Sequence, residues 1–222
     1  GSHLLPPVLQ DQLARQLRSR GVEVLEAMGV RRVDVLANGR TQLSLSNGRT
    51  ADAARLICGI GLVPNVELAQ AAGLAIDGGI AVGSDLRTSD PSIWAAGDCA
   101  AHVVPALGRR MLAQHEEHAN FSGLAAGRSM AGAAIAYTAL PYFYSSAGDI
   151  SYEGIGDVDA RLAHQVHVRA GGSAARVAFL RDGRVVGVLF WNCRADIDLA
   201  SNLIEAREPY SRERFDLLLG TG

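Results

Sequence analysis

Residues 88–98 read Thr-Ser-Asp-Pro-Ser-Ile-Trp-Ala-Ala-Gly-Asp, and this stretch decides how the rest of the chain is interpreted. An apolar segment, Ile93–Ala96, predicts a strand that ends at Gly97, where missing side-chain bulk lets the backbone approach a ligand closely. Asp98 then lies at the carboxyl end of that strand, the edge where ligands bind on open α/β sheets. A carboxylate accepts hydrogen bonds and therefore suits sugar hydroxyls. The alternative is an ordinary strand followed by an Asp N-cap.

A second segment with the same character precedes it, Gly59-Ile-Gly61-Leu-Val-Pro64-Asn65. Two glycines directly after an apolar run suit a backbone that passes close to a ligand, and Pro64 can begin the next helix. Taken alone, this segment could equally be a simple strand-to-helix turn.

Composition narrows the function classes. The chain has 222 residues, 48% of them hydrophobic and 20% charged, enough to bury the core of one large or two small domains. The net charge is −2 without a basic block, so nucleic acid is not an expected partner. All 21 basic residues are arginines, which excludes Schiff-base chemistry and a P-loop lysine.

The cysteines and the chain's first residues bear on the compartment. Cys58, Cys99 and Cys193 are widely spaced and form no Cys-x-x-Cys, which argues against a disulfide scaffold and a zinc ribbon. We expect reduced, mostly buried thiols in a cytoplasmic protein. Residues 1–3 resemble a tag remnant, no signal peptide follows them, and no apolar run is long enough to span a membrane.

The first part of the chain has the pattern of a nucleotide-binding α/β domain. An amphipathic helix over 8–17 is followed by predicted strands at 22–25, 32–36, 42–45 and 54–60. Asn38-Gly39 and Asn47-Gly48 predict hairpin turns between the middle strands, and the apolar run 54–60 predicts a strand buried on both faces. These elements describe the closing half of such a domain, without its first strand and Gly-rich turn.

The remainder predicts a second α/β segment and then an α+β domain. The first comprises helices over 65–72 and 112–130 and strands at 79–82 and 93–96. After Pro141 come the aromatic residues 142–144 and short strands over 165–169, 176–180 and 185–191, with Asp182-Gly183 as a hairpin turn. Two helices, 195–207 and 211–219, end the chain, and strands followed by helices favour a small α+β domain.

The ordered set of motifs resembles the FAD-dependent pyridine nucleotide-disulfide oxidoreductases, in particular the apoptosis-inducing-factor-like branch with its ferredoxin and rubredoxin reductases. The resemblance covers nearly all of the chain from Leu4 onward. Its motifs are 61–65, 79–82, 88–98, 107–110, 114–119, 122–123, 142–145, 151–156, 187–192 and 200–207. It implies an incomplete two-dinucleotide-binding-domain flavoprotein core (α/β) followed by a small α+β domain.

The resemblance also implies domain limits. After the tag residues 1–3, residues 4–65 would close the NAD(P)H-binding domain and 66–138 would complete the FAD-binding domain. Residues 139–222 would form an interface or dimerisation domain. The Gly-rich turns that hold the dinucleotide phosphates would lie ahead of Leu4, in about 150–200 further residues. A chain without them is expected to hold FAD weakly or not at all.

Site residues follow by position within the same resemblance. Gly97 and Asp98 would bind the ribityl chain of FAD, and Gln114 and His115 would lie beside the isoalloxazine. The remaining residues concern NAD(P)H: Phe143 and Tyr144 would wall the nicotinamide side, Glu153 would lie near the nicotinamide amide, and Gly61 would approach the dinucleotide. Tyr144 and Gln114 stand where the best-known relatives have Trp and Glu, and one extra residue precedes Gln114.

Simpler interpretations of the same residues remain open. Gln114 and His115 could be a solvated helix start, and Tyr142-Phe-Tyr144 could be core aromatics. His115-Glu-Glu-His118 is not the His-Glu-x-x-His pattern, so no metal site is expected.

The resemblance implies hydride transfer from NAD(P)H to FAD and electron transfer onward to ferredoxin, a quinone or a similar acceptor. The alternative function is a catalytically silent module for homodimerisation or for docking a redox partner. A thiol–disulfide reductase would need a cysteine pair that this sequence does not contain.

Overall fold

The computed structural model describes residues 3–169 and 171–219, which form two compact units. The smaller unit comprises residues 17–63, and the larger comprises 1–16 together with 64–222. The division near residue 63 lies close to the predicted limit at 65. No division appears near 138, since the residues on both sides of that position belong to the larger unit.

The smaller unit contains a three-stranded antiparallel meander, β1 (Val30–Val35), β2 (Thr41–Leu45) and β3 (Thr50–Ala53). Both connections place their Asn-Gly glycine in the left-handed region, with φ of 77° at Gly39 and 85° at Gly48. Each turn is closed by a pair of backbone hydrogen bonds, for example between Leu36 and Arg40 and between Gly39 and Leu36. The two predicted hairpins are therefore confirmed.

Two other strands predicted in this unit are absent. Residues 22–25 have no regular structure, and residues 54–60 form an irregular, exposed segment instead of a buried strand. Ile57 and Ile60 are 93% and 94% exposed. An apolar run becomes a two-sided strand only where neighbouring elements cover both of its faces, and no strand in the described part of the chain pairs with this one.

The first helix, α1 (Pro7–Ser19), packs against the C-terminal sheet, whereas the predicted domain limits grouped it with the rest of residues 4–65. Leu5 and Leu9 are fully buried in one cluster with Trp191 of the C-terminal sheet. The indole Nε1 of Trp191 also donates a hydrogen bond to Gln12 Oε1 at 2.9 Å. The first part of the range 4–65 thus contributes its apolar side chains to the core of the larger unit.

The larger unit begins with a small mixed sheet. The short helix α2 (Glu67–Ala71) leads to β4 (Ile80–Val82), which pairs in parallel with β5 (Ala100–Val104), and β5 pairs antiparallel with β6 (Arg109–Leu112). The predicted strand at 93–96 is reduced to one bridge between Arg87 and Trp94.

The long helix of this segment, α3 (Glu116–Met130), starts four residues later than predicted. Residues 109–112, which the apolar pattern assigned partly to the helix, belong to β6 instead. The side chain of His115 caps the helix by accepting a hydrogen bond from the Glu117 amide. This cap, rather than the apolar pattern, fixes where the helix begins.

The C-terminal part is a five-stranded antiparallel sheet in the order β7-β8-β11-β10-β9. Its strands are β7 (Tyr142–Ala147), β8 (Ile150–Gly156), β9 (Ala163–Val168), β10 (Ala175–Arg181) and β11 (Arg184–Trp191). The helices α4 (Ile197–Glu205) and α5 (Arg212–Leu219) follow. Asp182 and Gly183 both have positive φ, 51° and 72°, and form the two-residue turn between β10 and β11 as predicted.

Both faces of this sheet are covered, which explains the nearly continuous apolar run of β11. On one face Leu189 and Trp191 pack with Leu5 and Leu9. On the other, Val188 and Phe190 pack with residues of α4 and α5 that include Ala200, Ile204 and Phe215. The predicted α+β character of this segment is confirmed.

A close backbone approach holds β11 against the end of β8. A Cβ added to Gly187 would lie 2.5 Å from the carbonyl oxygen of Asp157 and 2.6 Å from its carbonyl carbon. These are backbone atoms that cannot rotate away, so this close approach requires a residue without a side chain. Gly123 on α3 is the opposite case, because a Cβ added there has no neighbour within 4 Å.

The same chemical change should therefore have opposite effects at these two glycines. We expect Gly187→Ala to lower the free energy of unfolding by about 1–3 kcal/mol through overpacking. Gly123→Ala should raise it by about 0.5–1 kcal/mol, because alanine is the better helix former. Urea unfolding followed by circular dichroism measures both free energies. A Gly187→Ala chain as stable as the parent would contradict the close backbone approach.

Two histidines are buried between the small mixed sheet and α3. His102 on β5 and His118 on α3 stack with their ring centroids 4.9 Å apart. Tyr137 Oη lies 2.9 Å from His118 Nδ1, and His102 Nε2 lies 3.1 Å from the Ala139 carbonyl oxygen. Burial lowers the pKa of both imidazoles, that of His118 to about 4. Both rings are therefore neutral near pH 7.

This buried pair should make the fold sensitive to acid. The pKa of His118 falls from 6.5 to about 4 on folding, so between these values the unfolded chain takes up a proton that the folded chain does not. Stability is then full above about pH 6.5 and falls as the pH drops towards 4, by on the order of 3 kcal/mol for His118. Urea unfolding at several pH values measures this slope. His118→Gln should flatten it, and equal slopes in parent and variant would refute the assignment.

Candidate functional site

The first half of α3 organises the candidate site. Gly97 lies in a 3-10 turn, Gly97–Cys99, with φ of 73°, and its amide donates a hydrogen bond to Ser122 Oγ at 2.9 Å. A Cβ added to Gly97 would lie 3.7 Å from the Cβ of Ala119. The positive φ and the adjacent helix explain why glycine is the suitable residue at this position.

Asp98 follows in the same turn and is exposed. It does not cap a helix, because a strand, β5, comes next. Within the described part of the chain, its carboxylate has neither a hydrogen-bond partner nor an ion-pair partner. The N-cap alternative is therefore not what the structure adopts, and the carboxylate remains available to a ligand.

The strand-like segment before this turn is anchored to the end of α3. The indole Nε1 of Trp94 donates a hydrogen bond to Ser129 Oγ at 3.0 Å. The Arg87 guanidinium lies over the face of the indole, 4.8 Å from the ring centroid. These contacts hold Trp94 in place, and Gly97 follows it by three residues.

At the start of α3, His115 connects the helix to β7. Its Nδ1 accepts the capping hydrogen bond from the Glu117 amide at 3.4 Å. Its ring meets the ring of Tyr144 edge-on, with centroids 4.7 Å apart and planes at 74°. Gln114, the preceding residue, is exposed, as a solvated helix start would be. His115 is half-buried and has defined neighbours.

Glu153 lies on the same face of the sheet as Tyr144. The two residues are directly paired across β7 and β8. Tyr142, two residues earlier on β7, donates a hydrogen bond from its Oη to Glu153 Oε2 at 2.6 Å. Burial and the Glu153 carboxylate raise the pKa of Tyr142 above its ordinary value of 10, so the phenol keeps its proton.

Tyr142 is a site residue that our sequence-based assignment of roles missed. The signal was present, since side chains two apart on a strand share a face. Tyr142 and Tyr144 are therefore expected on one face of β7, and His115 contacts both rings.

Phe143 lies on the opposite face of β7. Its ring occupies the space above Gly154, where an added Cβ would come within 2.4 Å of it. It also meets the Tyr152 ring edge-on at 6.4 Å, in the cluster that contains Trp191. Phe143 and Tyr144 thus do not form one continuous aromatic surface, although both reach the same cleft.

That cleft has a volume of about 480 Å³ and runs beside the start of α3 and along β7. It is lined by four of the predicted site residues, Gln114, His115, Phe143 and Tyr144. Gly97, Asp98 and Glu153 do not line it. Gly61 belongs to the smaller unit, where its φ is 91° and a Cβ added to it would have no neighbour within 4 Å.

All three cysteines are free, and Cys58 is exposed while Cys99 and Cys193 are half-buried, so the expectation of mostly buried thiols was wrong. No group of three His, Cys, Asp or Glu residues in the described chain could hold a metal ion. Among the described helices, none is both long and apolar enough to cross a membrane.

Comparisons with known proteins agree with this architecture. A ferredoxin–NAD(+) reductase component of the anthranilate 1,2-dioxygenase system from Burkholderia cepacia is 34% identical over 207 residues, which are 91% of this chain and 50% of the relative. A putative mitochondrial apoptosis-inducing factor 1 from Drosophila melanogaster is 33% identical over 165 residues, 72% of this chain and 22% of that protein. The chain spans half or less of the length of these relatives.

Solved structures show the same fold. The covalent putidaredoxin reductase–putidaredoxin complex superposes with a TM-score of 0.81 at 25% identity, over 97% of this chain and 51% of the matched one. A family model described as pyridine nucleotide-disulphide oxidoreductase matches residues 2–119, more than half of the chain. The chain therefore belongs to the pyridine nucleotide-disulphide oxidoreductase family.

Proposed function

We propose that this chain is part of an FAD-dependent oxidoreductase that passes hydride from NAD(P)H to FAD and electrons on to a ferredoxin-type acceptor. The observation that carries the proposal is the array of His115, Tyr144 and Glu153 at the start of α3, on the helix that also binds the Gly97 turn. Family membership supports it, because the curated relatives include ferredoxin reductases that use NAD(+).

The residues near Gly97 fit a flavin nucleotide. The positive φ of Gly97 turns the chain beside α3, and its amide is already satisfied by Ser122. The Asp98 carboxylate is exposed and can accept hydrogen bonds from ribityl hydroxyls. We therefore assign Gly97 and Asp98 to the FAD side of the site.

The array of His115, Tyr144 and Glu153 suits the flavin ring and the nicotinamide. FAD, when bound, supplies the isoalloxazine that accepts the hydride. In the chain itself, His115 and Tyr144 would present their rings as a wall of the flavin pocket, with Gln114 beside them. Tyr142 holds Glu153 by its 2.6 Å hydrogen bond, and the second carboxylate oxygen could accept a hydrogen bond from the nicotinamide amide. Phe143 would close the cleft from the other side of the strand, and Gly61 would approach the bound dinucleotide.

The acceptor is proposed from the relatives. The Burkholderia relative is a ferredoxin–NAD(+) reductase component, and putidaredoxin is bound in the solved complex. We propose a ferredoxin-type protein as the partner of the whole enzyme. A cytoplasmic location is also proposed, supported by three cysteines that form no disulfide.

A second candidate function has one observation in its favour. The smaller unit exposes Ile57, Ile60 and Val63 at 93%, 94% and 85%. Exposed apolar side chains favour association with a partner surface that covers them. The chain could thus act as a dimerisation or docking module without catalysis of its own.

Flavin binding by the 222-residue chain is the first test. The sequence contains no Gly-x-Gly-x-x-Gly turn to hold the FAD phosphates, so we expect weak binding that is lost on desalting. Flavin absorbance after desalting measures it, and stoichiometric retained flavin would overturn this expectation.

Light scattering with and without FAD separates the two functions, because concentration-dependent dimers whose formation does not change with FAD support the docking module.

The role of Glu153 can be tested in the enzyme that contains this chain. We expect Glu153→Gln to lower kcat/KM for NAD(P)H about tenfold, because a charged hydrogen-bond acceptor is lost, while FAD content stays the same. Stopped-flow reduction of the flavin by NAD(P)H measures the effect. Glu205→Gln, which removes an exposed carboxylate on α4, is the matched control. Equal rates in parent and Glu153→Gln would remove Glu153 from the site.

A further inference from the structure

A cavity of about 160 Å³ lies where the β10–β11 turn meets the end of α4 and the 3-10 turn Pro105–Leu107. Three arginines line it, Arg181, Arg184 and Arg207, together with one carboxylate, Asp182. It shares no lining residue with the 480 Å³ cleft beside α3. The two cavities are therefore lined by different residues.

Two of the three guanidiniums are held in place by the protein. Arg181 Nη2 donates to Asp157 Oδ2 at 2.5 Å, and Asp157 is itself buried. Arg207 donates from Nε to the Ala106 carbonyl oxygen at 3.2 Å and from Nη2 to the carbonyl oxygen of Pro105. A positive charge with fixed geometry loses little conformational entropy when an anion binds.

The hydrogen-bonding capacity of these arginines is not used up. Arg181 Nη1 is buried and has no hydrogen-bond partner in the described chain. The Arg184 side chain is exposed and makes no hydrogen bond or ion pair with any described residue. Arg181 Nη1 is closed off from solvent, so the unpaired donors that an anion in the cavity can reach are those of Arg184.

Arg207 adds a conformational observation. It lies two residues after Glu205, the last residue of α4, and has φ of 52°, in the left-handed region where glycine is favoured. An arginine there accepts backbone strain, and its side chain bonds to the carbonyl groups of Pro105 and Ala106, of which Ala106 lines the cavity. The position thus keeps a guanidinium at the cavity although the backbone conformation favours glycine.

We propose that this cavity binds a small oxyanion of the phosphate class. Guanidinium groups pair with phosphate oxygens through charge-assisted hydrogen bonds, which a halide cannot form in the same number. The volume admits inorganic phosphate or the phosphate end of a small ester. The negative charge of Asp182 repels a bound anion, so we expect the affinity for phosphate to be moderate.

Isothermal titration of the 222-residue chain with inorganic phosphate, at ionic strength held constant with sodium chloride, tests the proposal. We expect saturable binding at one site, and Arg184→Gln should weaken it about tenfold through loss of charged donors. Arg194→Gln removes an exposed arginine that does not line the cavity and should change the affinity less than about twofold, since distant surface charges are screened. Methyl phosphate in place of phosphate distinguishes an ester from the free ion.

Asp182→Asn supplies a variant whose effect has the opposite sign. Asparagine tolerates the left-handed conformation of this turn position, so the fold should be kept. Loss of the opposing carboxylate should strengthen phosphate binding about threefold. The proposal is overturned if no saturable binding occurs, if Arg184→Gln and Arg194→Gln weaken it equally, or if Asp182→Asn fails to strengthen it. None of these outcomes depends on FAD or NAD(P)H.

Discussion

The arrangement of the candidate site depends on the side chains that leave the first two turns of α3. His115 caps the helix and contacts Tyr144 of β7. One turn later, His118 forms a hydrogen bond with Tyr137. After a further turn, Ser122 Oγ accepts a hydrogen bond from the Gly97 amide. These contacts hold three separate segments of the chain against one helix. Because the helix rises by a regular step of about 1.5 Å per residue, it also sets the spacing between the contacts. A shift of α3 would therefore move the ligand-facing turn and the aromatic strand together.

The C-terminal sheet imposes the second constraint, because it is covered on both faces. The side chains of β11 alternate between a cluster with α1 and a cluster with α4 and α5. The same alternation on β7 separates Phe143, which packs on Gly154, from Tyr144, which meets His115. The edge position of β7 lets both residues reach one cleft although they point to opposite faces. A nicotinamide wall built from this pair would consist of two separate surfaces.

Local chemistry decided which parts of the fold could be predicted. The turns at 38–39, 47–48 and 182–183 were correct because Asn-Gly and Asp-Gly favour positive φ whatever the surroundings. The strand at 54–60 was wrong because its burial depends on partners distant in sequence. The core that Leu5 and Leu9 join could not be predicted, since their side chains could pack in any apolar core. In the site, the resemblance supplied Asp98, His115 and Glu153 as candidates. The Tyr142–Glu153 hydrogen bond could be found only once β7 and β8 were in register.

Arginine side chains join strands and sheets in the larger unit. Arg110 Nη1 donates to the carbonyl oxygens of Val82 and Ala101 at 2.5 and 2.6 Å, across β4 and β5. Arg109 on β6 and Arg181 on β10 share the Asp157 carboxylate, so one buried acceptor links the small sheet to the large one. Each of these arginines makes the contact through a single guanidinium nitrogen, Nη1 of Arg109 and Arg110 and Nη2 of Arg181, rather than as a bidentate fork. Arginine at these positions thus satisfies acceptors between strands and between sheets, and Arg181 also lines the cavity at the β10–β11 turn.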